Sequence, residues 1–465
     1  MKNYWILVCL WGVGRLTAQS DVIYVNDIQI EGNRRTRDEI VLRELHFKEG
    51  DSIAVVELGR VLEESEQFIM NTGLFNQANI SFKEWDGGSN CVSIVITLEE
   101  SWYIYPIPVF ELADRNFNVW WVEQGRSLQR LNFGMEFTHL NFTGRKDRLR
   151  LVAKYGYTRN YSLRYSLPYI NKQQTIGLSG EVYYAQNREI NYATVGNKQA
   201  FYRDADHFLY QRFRMDGGLS YRPGLRVVHN FLLGYRQNAV DPIVPLELNP
   251  DFFLNGRHLQ RYFSAAYTFS YDNRDVRPYP MQGDYFFAAL EKDGLGIFHD
   301  RNSLTLSTVY EHYLRLDSRW SLGARLRTKA SLIRTPQPYS DNRALGFGRN
   351  NLHGYEYYIV DGLDMAFAKS TIRWQCFDHT INFGRIMPIS AFRRMPVKMF
   401  LALNYDMGIV NDPYASPDNF LHNRLLWGGG LGLDFVLFYD KVFQIEYSAN
   451  HLGETGLFLH FNLNI

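Results

Sequence analysis

The sequence predicts an all-β transmembrane barrel of about 16 antiparallel strands, preceded by a small N-terminal α+β domain. Three observations predict it: an export signal at the amino terminus, two-residue alternation in strand-length segments, and the persistence of that alternation to the last residue. Successive side chains of a strand point to opposite faces of the sheet, so this alternation gives each strand one polar and one apolar face. In an exported chain, that pattern is typical of a barrel with a polar lumen and a lipid-facing exterior.

Residues 1–18 are predicted to be a secretory signal peptide. Lys2 provides the positive charge, residues 4–13 the apolar segment and Ala18 a small residue near the cleavage site. No other stretch offers about 18 uninterrupted apolar residues, so we expect no membrane-spanning helix. A mean hydropathy of −0.30 is compatible with a barrel, because half of each strand faces a polar lumen.

Composition narrows the function classes. Aromatic residues make up 15% of the chain, which suits aromatic girdles at two membrane interfaces, although a tyrosine-rich secreted sandwich remains an alternative. The net charge of +1 gives no support for nucleic-acid binding. Cys91 and Cys376 fall in different predicted domains and lack zinc-ligand spacing, so neither a disulfide nor a metal site is expected.

Residues 22–100 are predicted to form one small domain in the order β-α-α-β-β. Ile28 and Ile30 alternate in a first strand, and Thr36 is the candidate N-cap of a helix over 37–45. A longer helix is predicted over 55–71, followed by strands over 78–85 and 91–99 that are joined by a hairpin at 86–89.

Five short motifs in this domain resemble the signature of a POTRA domain, the periplasmic module of the BamA-like outer-membrane assembly and translocation superfamily. They lie at residues 30–36, 43–45, 50–51, 73–75 and 97–100. We find one copy of the motif series. The resemblance implies a periplasmic domain whose sheet edges bind extended polypeptides.

Residues 101–465 are predicted to form the barrel. Trp320, Leu322 and Leu326 share one face of a strand and Arg325 and Arg327 the other, and similar alternation runs over 398–406 and 457–465. Tilted strands of roughly 9–11 residues with turns and loops give about 16 spans. Alternation that reaches the carboxyl terminus suits a barrel whose last strand meets its first.

Several barrel segments resemble the same superfamily, in the expected order. They are residues 141–144 with 165–169, a barrel-wall motif over 271–283 (Asp272, Arg274, Asp275, Gly283), an inward-loop motif (Leu352, His353, Gly354, Tyr355) after 345–348, and Asp406-Met407-Gly408. The family pattern implies that the inward-loop motif at residues 352–355 enters the barrel and contacts the barrel-wall motif.

One position departs from the family pattern. His353 stands where the inward loop normally carries an arginine, and an imidazole is mostly neutral at pH 7 and reaches less far than a guanidinium. We predict that His353 lies inside the barrel and bonds to Asp272 or Asp275. The alternative is a loop residue that simply packs in a wet lumen.

Pro106 and Pro108 lie in the predicted first barrel strand, residues 103–110. Proline has no N–H to donate, and residues two apart direct their backbone groups toward the same neighbour. We therefore predict that both missing donors face the last strand, at residues 456–465, and weaken the seam between the two. Alternatively, both prolines lie in the linker below the membrane.

Motifs of nucleophile elbows, phosphate-binding loops, zinc peptidases and Cys-x-x-Cys sites are absent, so we predict neither an enzyme nor a cofactor. Three functions remain: assembly of outer-membrane proteins, dedicated secretion of one polypeptide, and a passive or structural barrel. The translocators of two-partner secretion typically carry two POTRA domains and a plug helix, which the motif series does not show. The expected partners are outer-membrane lipids, unfolded outer-membrane or exported polypeptides bound by the POTRA domain, and other subunits of an assembly complex.

Overall fold

The computed structural model describes residues 22–86, 90–114, 116–204, 206–387, 393–438 and 441–463. The predicted signal peptide, the hairpin turn at 87–89 and the last two residues of the predicted final strand lie outside the described residues.

The N-terminal domain is a four-stranded sheet covered by two helices. Its elements are β1 (Val22–Glu31), α1 (Asp38–Leu42), β2 (Ser52–Ala54), α2 (Val55–Met70), β3 (Phe75–Asp86) and β4 (Cys91–Glu100). The strand order is β2-β1-β4-β3, with β1 parallel to β4 and the other pairs antiparallel. The strand β2 was not predicted, because three residues are too few for a periodic signal.

The core of this domain lies between the sheet and the helices. Ile94 and Ile96 from β4, Ile40 from α1 and Ile69 from α2 are almost fully buried there. The predicted N-cap at Thr36 is wrong. Arg37 occupies the cap position without a side-chain bond, whereas the hydroxyl of Thr36 lies 2.9 Å from that of Tyr103 in the linker to the barrel.

A fragment of residues 22–100 is expected to fold alone, because its apolar core is nearly self-contained. Circular dichroism should show mixed helix and strand, with one cooperative thermal transition. Ile94→Asp places a charge in the core and should abolish that transition. A random-coil spectrum of the unmodified fragment would contradict the domain boundary.

Twenty further strands follow. They are β5 (Ile104–Leu112), β6 (Leu131–Leu140), β7 (Arg148–Gly156), β8 (Thr158–Leu167), β9 (Ile176–Asn187), β10 (Glu189–Val195), β11 (Lys198–Arg203), β12 (Tyr210–Tyr221), β13 (Val227–Val240), β14 (Leu259–Asp272), β15 (Gly283–Asp293), β16 (Ser303–Arg315), β17 (Trp320–Ser331), β18 (Arg343–Leu345), β19 (Val360–Asp361), β20 (Asp364–Asn382), β21 (Arg394–Asn411), β22 (Leu426–Leu437), β23 (Lys441–Asn450) and β24 (Thr455–Leu463). Single helical turns lie at Val119–Glu123, Leu128–Arg130, Val244–Leu248 and Gly384–Ile386.

Sixteen of these strands form one antiparallel sheet, as predicted. They follow chain order from β5 to β24, with the hairpin β10–β11 and the pair β18–β19 lying outside the sheet. The side-chain amide of Asn118, in the loop after β5, donates to the backbone oxygen of Leu457 in β24 at 2.6 Å. The two edges of the sheet therefore meet, and the sheet curls into a barrel.

The predicted alternation places apolar side chains outside and polar ones inside. In β21, Leu401, Leu403 and Tyr405 are about half exposed on the outer surface, whereas Ala402 and Asp406 are buried on the luminal side. Of the helices in the described part of the chain, none is long and apolar enough to cross a membrane.

Candidate functional site

The inward loop, residues 332–363, connects β17 to β20 and carries the pair β18–β19. Leu352 and Tyr355 of its motif are buried, and they pack with Phe367 of β20, Val410 of β21 and Leu426 of β22. This apolar cluster holds the loop against the inner face of the late strands.

His353 makes the charged contacts of the inward loop. Its Nδ1 lies 2.7 Å from a carboxylate oxygen of Asp406 on β21, and its Nε2 lies 3.0 Å from a carboxylate oxygen of Glu446 on β23. The backbone N–H of His353 also donates to Asp406 at 3.1 Å. The predicted contact with Asp272 or Asp275 is wrong. Those carboxylates pair with arginines instead, Asp272 with Arg274 and Asp275 with Arg315.

His353 is also not a neutral imidazole. Burial lowers the pKa of His353 and the nearby ammonium of Lys369 lowers it further, but Asp406 and Glu446 outweigh both and raise the pKa to about 9. At neutral pH the side chain is therefore a cation between two carboxylates. It supplies the positive charge that an arginine supplies in the family pattern.

Two glycines allow the loop backbone to touch the wall. Gly354 has a φ of +83°, and a Cβ there would lie 2.7 Å from the backbone carbon of Ala449. A Cβ on Gly428 in β22 would overlap the carbonyl oxygen of His353. The glycine run at 428–430 thus marks a close approach between the backbones of β22 and the inward loop.

The barrel-wall motif forms an ion-pair network beside the N-terminal domain. The guanidinium of Arg274 donates to Asp272 at 2.8 Å and to Glu311 at 2.9 Å, and Asp275 accepts from Arg315 at 2.8 Å. The other carboxylate oxygen of Asp275 accepts backbone N–H groups across the turn 273–282, which shapes it. Gly283 follows this turn with a φ of +104°.

That turn reaches into the barrel end nearest the N-terminal domain, here called the near mouth. The hydroxyl of Tyr279 donates to Asp434 of β22 at 2.6 Å, and its ring lies 4.7 Å from that of Phe400 of β21. Arg373 of β20 donates to the carbonyl oxygen of Pro280 at 2.8 Å. The turn therefore partly fills the near mouth, which its motif did not predict.

Pro106 and Pro108 lie inside β5 and not in a linker. The backbone N–H of Leu140 donates to the carbonyl oxygen of Tyr103, and that of Ala113 donates to the carbonyl oxygen of Arg130. Odd-numbered residues of β5 therefore direct their backbone groups toward β6. The even-numbered positions, including both prolines, face the opposite edge. Among the described residues no ladder pairing joins this edge to β24.

Side chains cap both ends of this seam, the junction of β5 and β24. The indole N–H of Trp102 donates to the carbonyl oxygen of Ile104 on the seam edge of β5. At the other end, Asn118 donates to Leu457 of β24 and to the hydroxyl of Tyr357 in the inward loop. Exposed strand edges are commonly covered in such ways.

The N-terminal domain is fixed to the near mouth through Glu44. This fully buried carboxylate accepts two bonds from Arg222, at 2.7 and 2.9 Å, and lies 3.4 Å from the ammonium of Lys146. Burial raises the pKa of Glu44, but Lys146 and Arg222 outweigh burial and lower it to about 2. Arg35 adds bonds to the carbonyl oxygens of Asn141 and Phe142.

The opposite, far end of the barrel is covered by loops. Asn197, in the hairpin β10–β11, is fully buried and bonds to Ile359 of the inward loop and to Asn419 and Leu421 of the loop after β21. A second cluster under this hairpin includes the buried residues Ile190, Leu209, Val240, Val244, Phe252 and Phe253. Together these loops form a cap over the lumen.

The sequence indicated some of these residues and missed others. Asp406 and Glu44 belong to recognised motifs, but no local signal pairs them with His353 and Arg222. Lys369 and Glu446 were missed, because isolated polar residues in alternating strands carry no pattern of their own. Tyr279 lies within the recognised barrel-wall motif, but nothing in the motif indicates its contact with Asp434. Within the described residues no group of three or more His, Cys, Asp or Glu side chains could hold a metal ion.

Two family models match the sequence. One described as "Surface antigen variable number repeat" (POTRA) matches residues 23–101, and one described as "Omp85 superfamily domain" matches residues 141–436. No curated protein sequence matches the chain.

Similar solved structures include one of BamA from Haemophilus ducreyi lacking POTRA domains 1–3, with a TM-score of 0.51 and 15% identity over 94% of this chain and 83% of that one. CdiB from Escherichia coli gives a TM-score of 0.57 with 11% identity over 94% of this chain and 75% of that one. CdiB from Acinetobacter baumannii gives a TM-score of 0.52 with 12% identity over 95% of this chain and 74% of that one. At these identities the likeness shows the fold alone.

Proposed function

The chain belongs to the Omp85 superfamily of outer-membrane proteins, and from that premise we propose that it assists the insertion and assembly of other outer-membrane β-barrel proteins. In this proposal the POTRA domain lies in the periplasm and receives unfolded clients. The barrel then passes client strands into the lipid phase through its seam.

The observation that carries the proposal is the unpaired seam edge of β5. A client strand needs backbone partners, and β5 and β24 both offer ladder positions that the described residues leave unpaired. Pro106 and Pro108 remove two donors from that edge, so closing the seam yields fewer hydrogen bonds than closing an ordinary strand pair. A junction that needs little free energy to open suits lateral release of a client into the membrane.

The two covered ends of the barrel argue against a passive pore. The turn 273–282 partly fills the near mouth, the inward loop occupies the lumen, and the far-end loops are joined through the buried Asn197. Free diffusion along the axis would require these segments to move. A route through the wall at the seam requires only that two strands part.

Replacing both prolines with alanine is expected to strengthen the seam. Each restored N–H can contribute a ladder bond of about 0.5–1.5 kcal/mol net. Amide hydrogen exchange followed by mass spectrometry should then slow in β5 and β24, and client assembly should slow in cells. Pro168→Ala, in a turn outside the seam, is the control. Unchanged exchange and unchanged assembly in the double variant would refute the role of the seam.

Depletion in cells tests the function itself. Loss of many outer-membrane proteins is the expected result. Loss of a single exported protein would instead identify a dedicated secretion translocator, and a change in permeability alone would identify a pore. Either of the last two outcomes contradicts the proposal.

A further inference from the structure

A cavity of about 1340 Å³ lies between the POTRA domain and the near mouth. Its POTRA wall is built by the end of α2 and the beginning of β3, and its barrel wall by luminal side chains of several strands. Because β3 is an edge strand of the POTRA sheet, an extended segment that pairs with its first residues would lie in this cavity.

The barrel wall of this cavity is strongly basic. Its arginines are Arg148, Arg274, Arg277, Arg325, Arg349, Arg393 and Arg394. Three of them, Arg274, Arg277 and Arg325, form ion pairs with Asp272 and Glu311. By contrast, no carboxylate of the described residues lies within ion-pair distance of Arg148, Arg349, Arg393 or Arg394. Arg393 donates to the backbone oxygen of Met387, whereas Arg148, Arg349 and Arg394 line the cavity with exposed side chains.

These three arginines come from separate parts of the barrel. Arg148 begins β7, Arg349 lies in the inward loop and Arg394 begins β21. Folding therefore gathers these three positive charges, beside that of Arg393, around one cavity. Guanidinium groups bind carboxylates with two parallel hydrogen bonds, and like charges gathered in a cleft attract oppositely charged ligands over a distance that salt shortens.

We propose that this cavity binds acidic segments of extended polypeptides, with their carboxylates on Arg148, Arg349 and Arg394 and their backbone near the edge of β3. The inference rests on the proposed function, and it names the class of client segment that the near mouth selects. The acidic residues of the POTRA wall, Glu63, Glu66 and Glu99, repel an acidic residue on the POTRA-facing side of the bound segment, so the segment would carry its charge on the barrel side.

The test uses the full-length protein in nanodiscs of zwitterionic lipid. Fluorescence anisotropy measures the binding of an extended peptide that carries Asp or Glu at every second position and Ser or Thr between them, and of its counterpart with Asn and Gln at the acidic positions. The acidic peptide should bind at least tenfold more tightly at low salt, with an affinity that falls as salt rises. The triple variant Arg148→Gln, Arg349→Gln, Arg394→Gln should bind both peptides equally.

A matched variant removes three positive charges outside the cavity: Arg34→Gln, Lys172→Gln and Arg319→Gln. It should retain the preference of the parent protein, which separates the site from net charge. Arg349→Gln alone, with an expected intermediate loss, replaces the triple variant if the latter fails to fold.

Equal binding of the two peptides by the parent protein would overturn the inference. Binding of vesicles that contain anionic lipid, with no binding of the acidic peptide, would also overturn it if the triple variant lost the vesicle binding. If depletion leaves outer-membrane proteins unchanged but the peptide preference persists, the proposed function fails and the site remains. If depletion lowers them and the preference is absent, only the site is refuted.

Discussion

Replacing Glu44 with alanine is expected to detach the POTRA domain from the barrel while leaving each folded. The substitution leaves Arg222 partly buried without its carboxylate, and breaking a buried ion pair by removing one partner typically costs about 3–5 kcal/mol. The shift of the pKa of Glu44 from 4.5 to about 2 corresponds to about 3 kcal/mol, which agrees with that range. Docking should therefore weaken by at least a hundredfold.

Spin labels at Val56 on α2 and Lys172 in a near-side turn would measure this docking by pulsed dipolar spectroscopy. The native Cys91 and Cys376 are first replaced by serine. The parent protein should give a narrow distance distribution and the Glu44→Ala variant a broad one. Glu39→Ala, which removes an exposed carboxylate from α1, is the control and should leave the distribution narrow.

The same measurement has a defined pH dependence. Because the folded pKa of Glu44 lies below its ordinary value, its contribution to docking is complete above about pH 4.5 and is lost as the pH falls toward 2. A docked domain at pH 5 and a mobile one near pH 2.5 are expected. A broad distribution at pH 7 in the parent protein would contradict the buried pair.

His353 should give a pH dependence of the opposite sign. Its folded pKa lies above its ordinary value of 6.5, so its contribution to anchoring the inward loop is complete below about pH 6.5 and is lost as the pH rises through 9. That contribution amounts to about 3 kcal/mol. His353→Ala should release the loop at every pH, because Glu446 then loses its ion pair with the loop and Asp406 keeps only the ammonium of Lys369, which belongs to the wall.

Spin labels at Asn350 in the inward loop and Arg319 in a near-side turn would report the release between pH 7 and pH 10. The His353→Arg variant is the matched control, because a guanidinium stays charged over this range and should remove the pH dependence. An equally sharp transition in that variant would show that a group other than His353 titrates.

The sequence predicted the architecture well because alternation is a direct physical consequence of strand geometry. Leu401, Leu403 and Tyr405 face outward, as their two-residue spacing requires. The fourth strand of the POTRA sheet, β2, escaped prediction because three residues cannot show a period.

Contacts within the lumen were much harder to predict. The loop cation at His353 was recognised, but its partners lie on strands 53 and 93 residues further along the chain, as the difference between residue numbers shows (406 − 353 and 446 − 353). Spacing along a strand tells whether a side chain points into the lumen or out of the barrel. It does not tell which side chain of another strand it meets in the lumen. For the same reason, the reach of Tyr279 to Asp434 carried no local signal.

The contacts of Asn116 and Asn118 connect the seam to the proton equilibrium of the lumen. Asn116 donates to the carbonyl oxygen of Glu356 and Asn118 to Tyr357 and Leu457, so one short segment holds both the last strand and the loop that carries His353. Coupling between two equilibria is reciprocal. If seam opening pulls this segment from the loop and thereby draws His353 away from Asp406 and Glu446, it lowers the proton affinity of His353, and deprotonation of His353 then favours opening by the same factor. Each opening event would then release a fraction of a proton at alkaline pH.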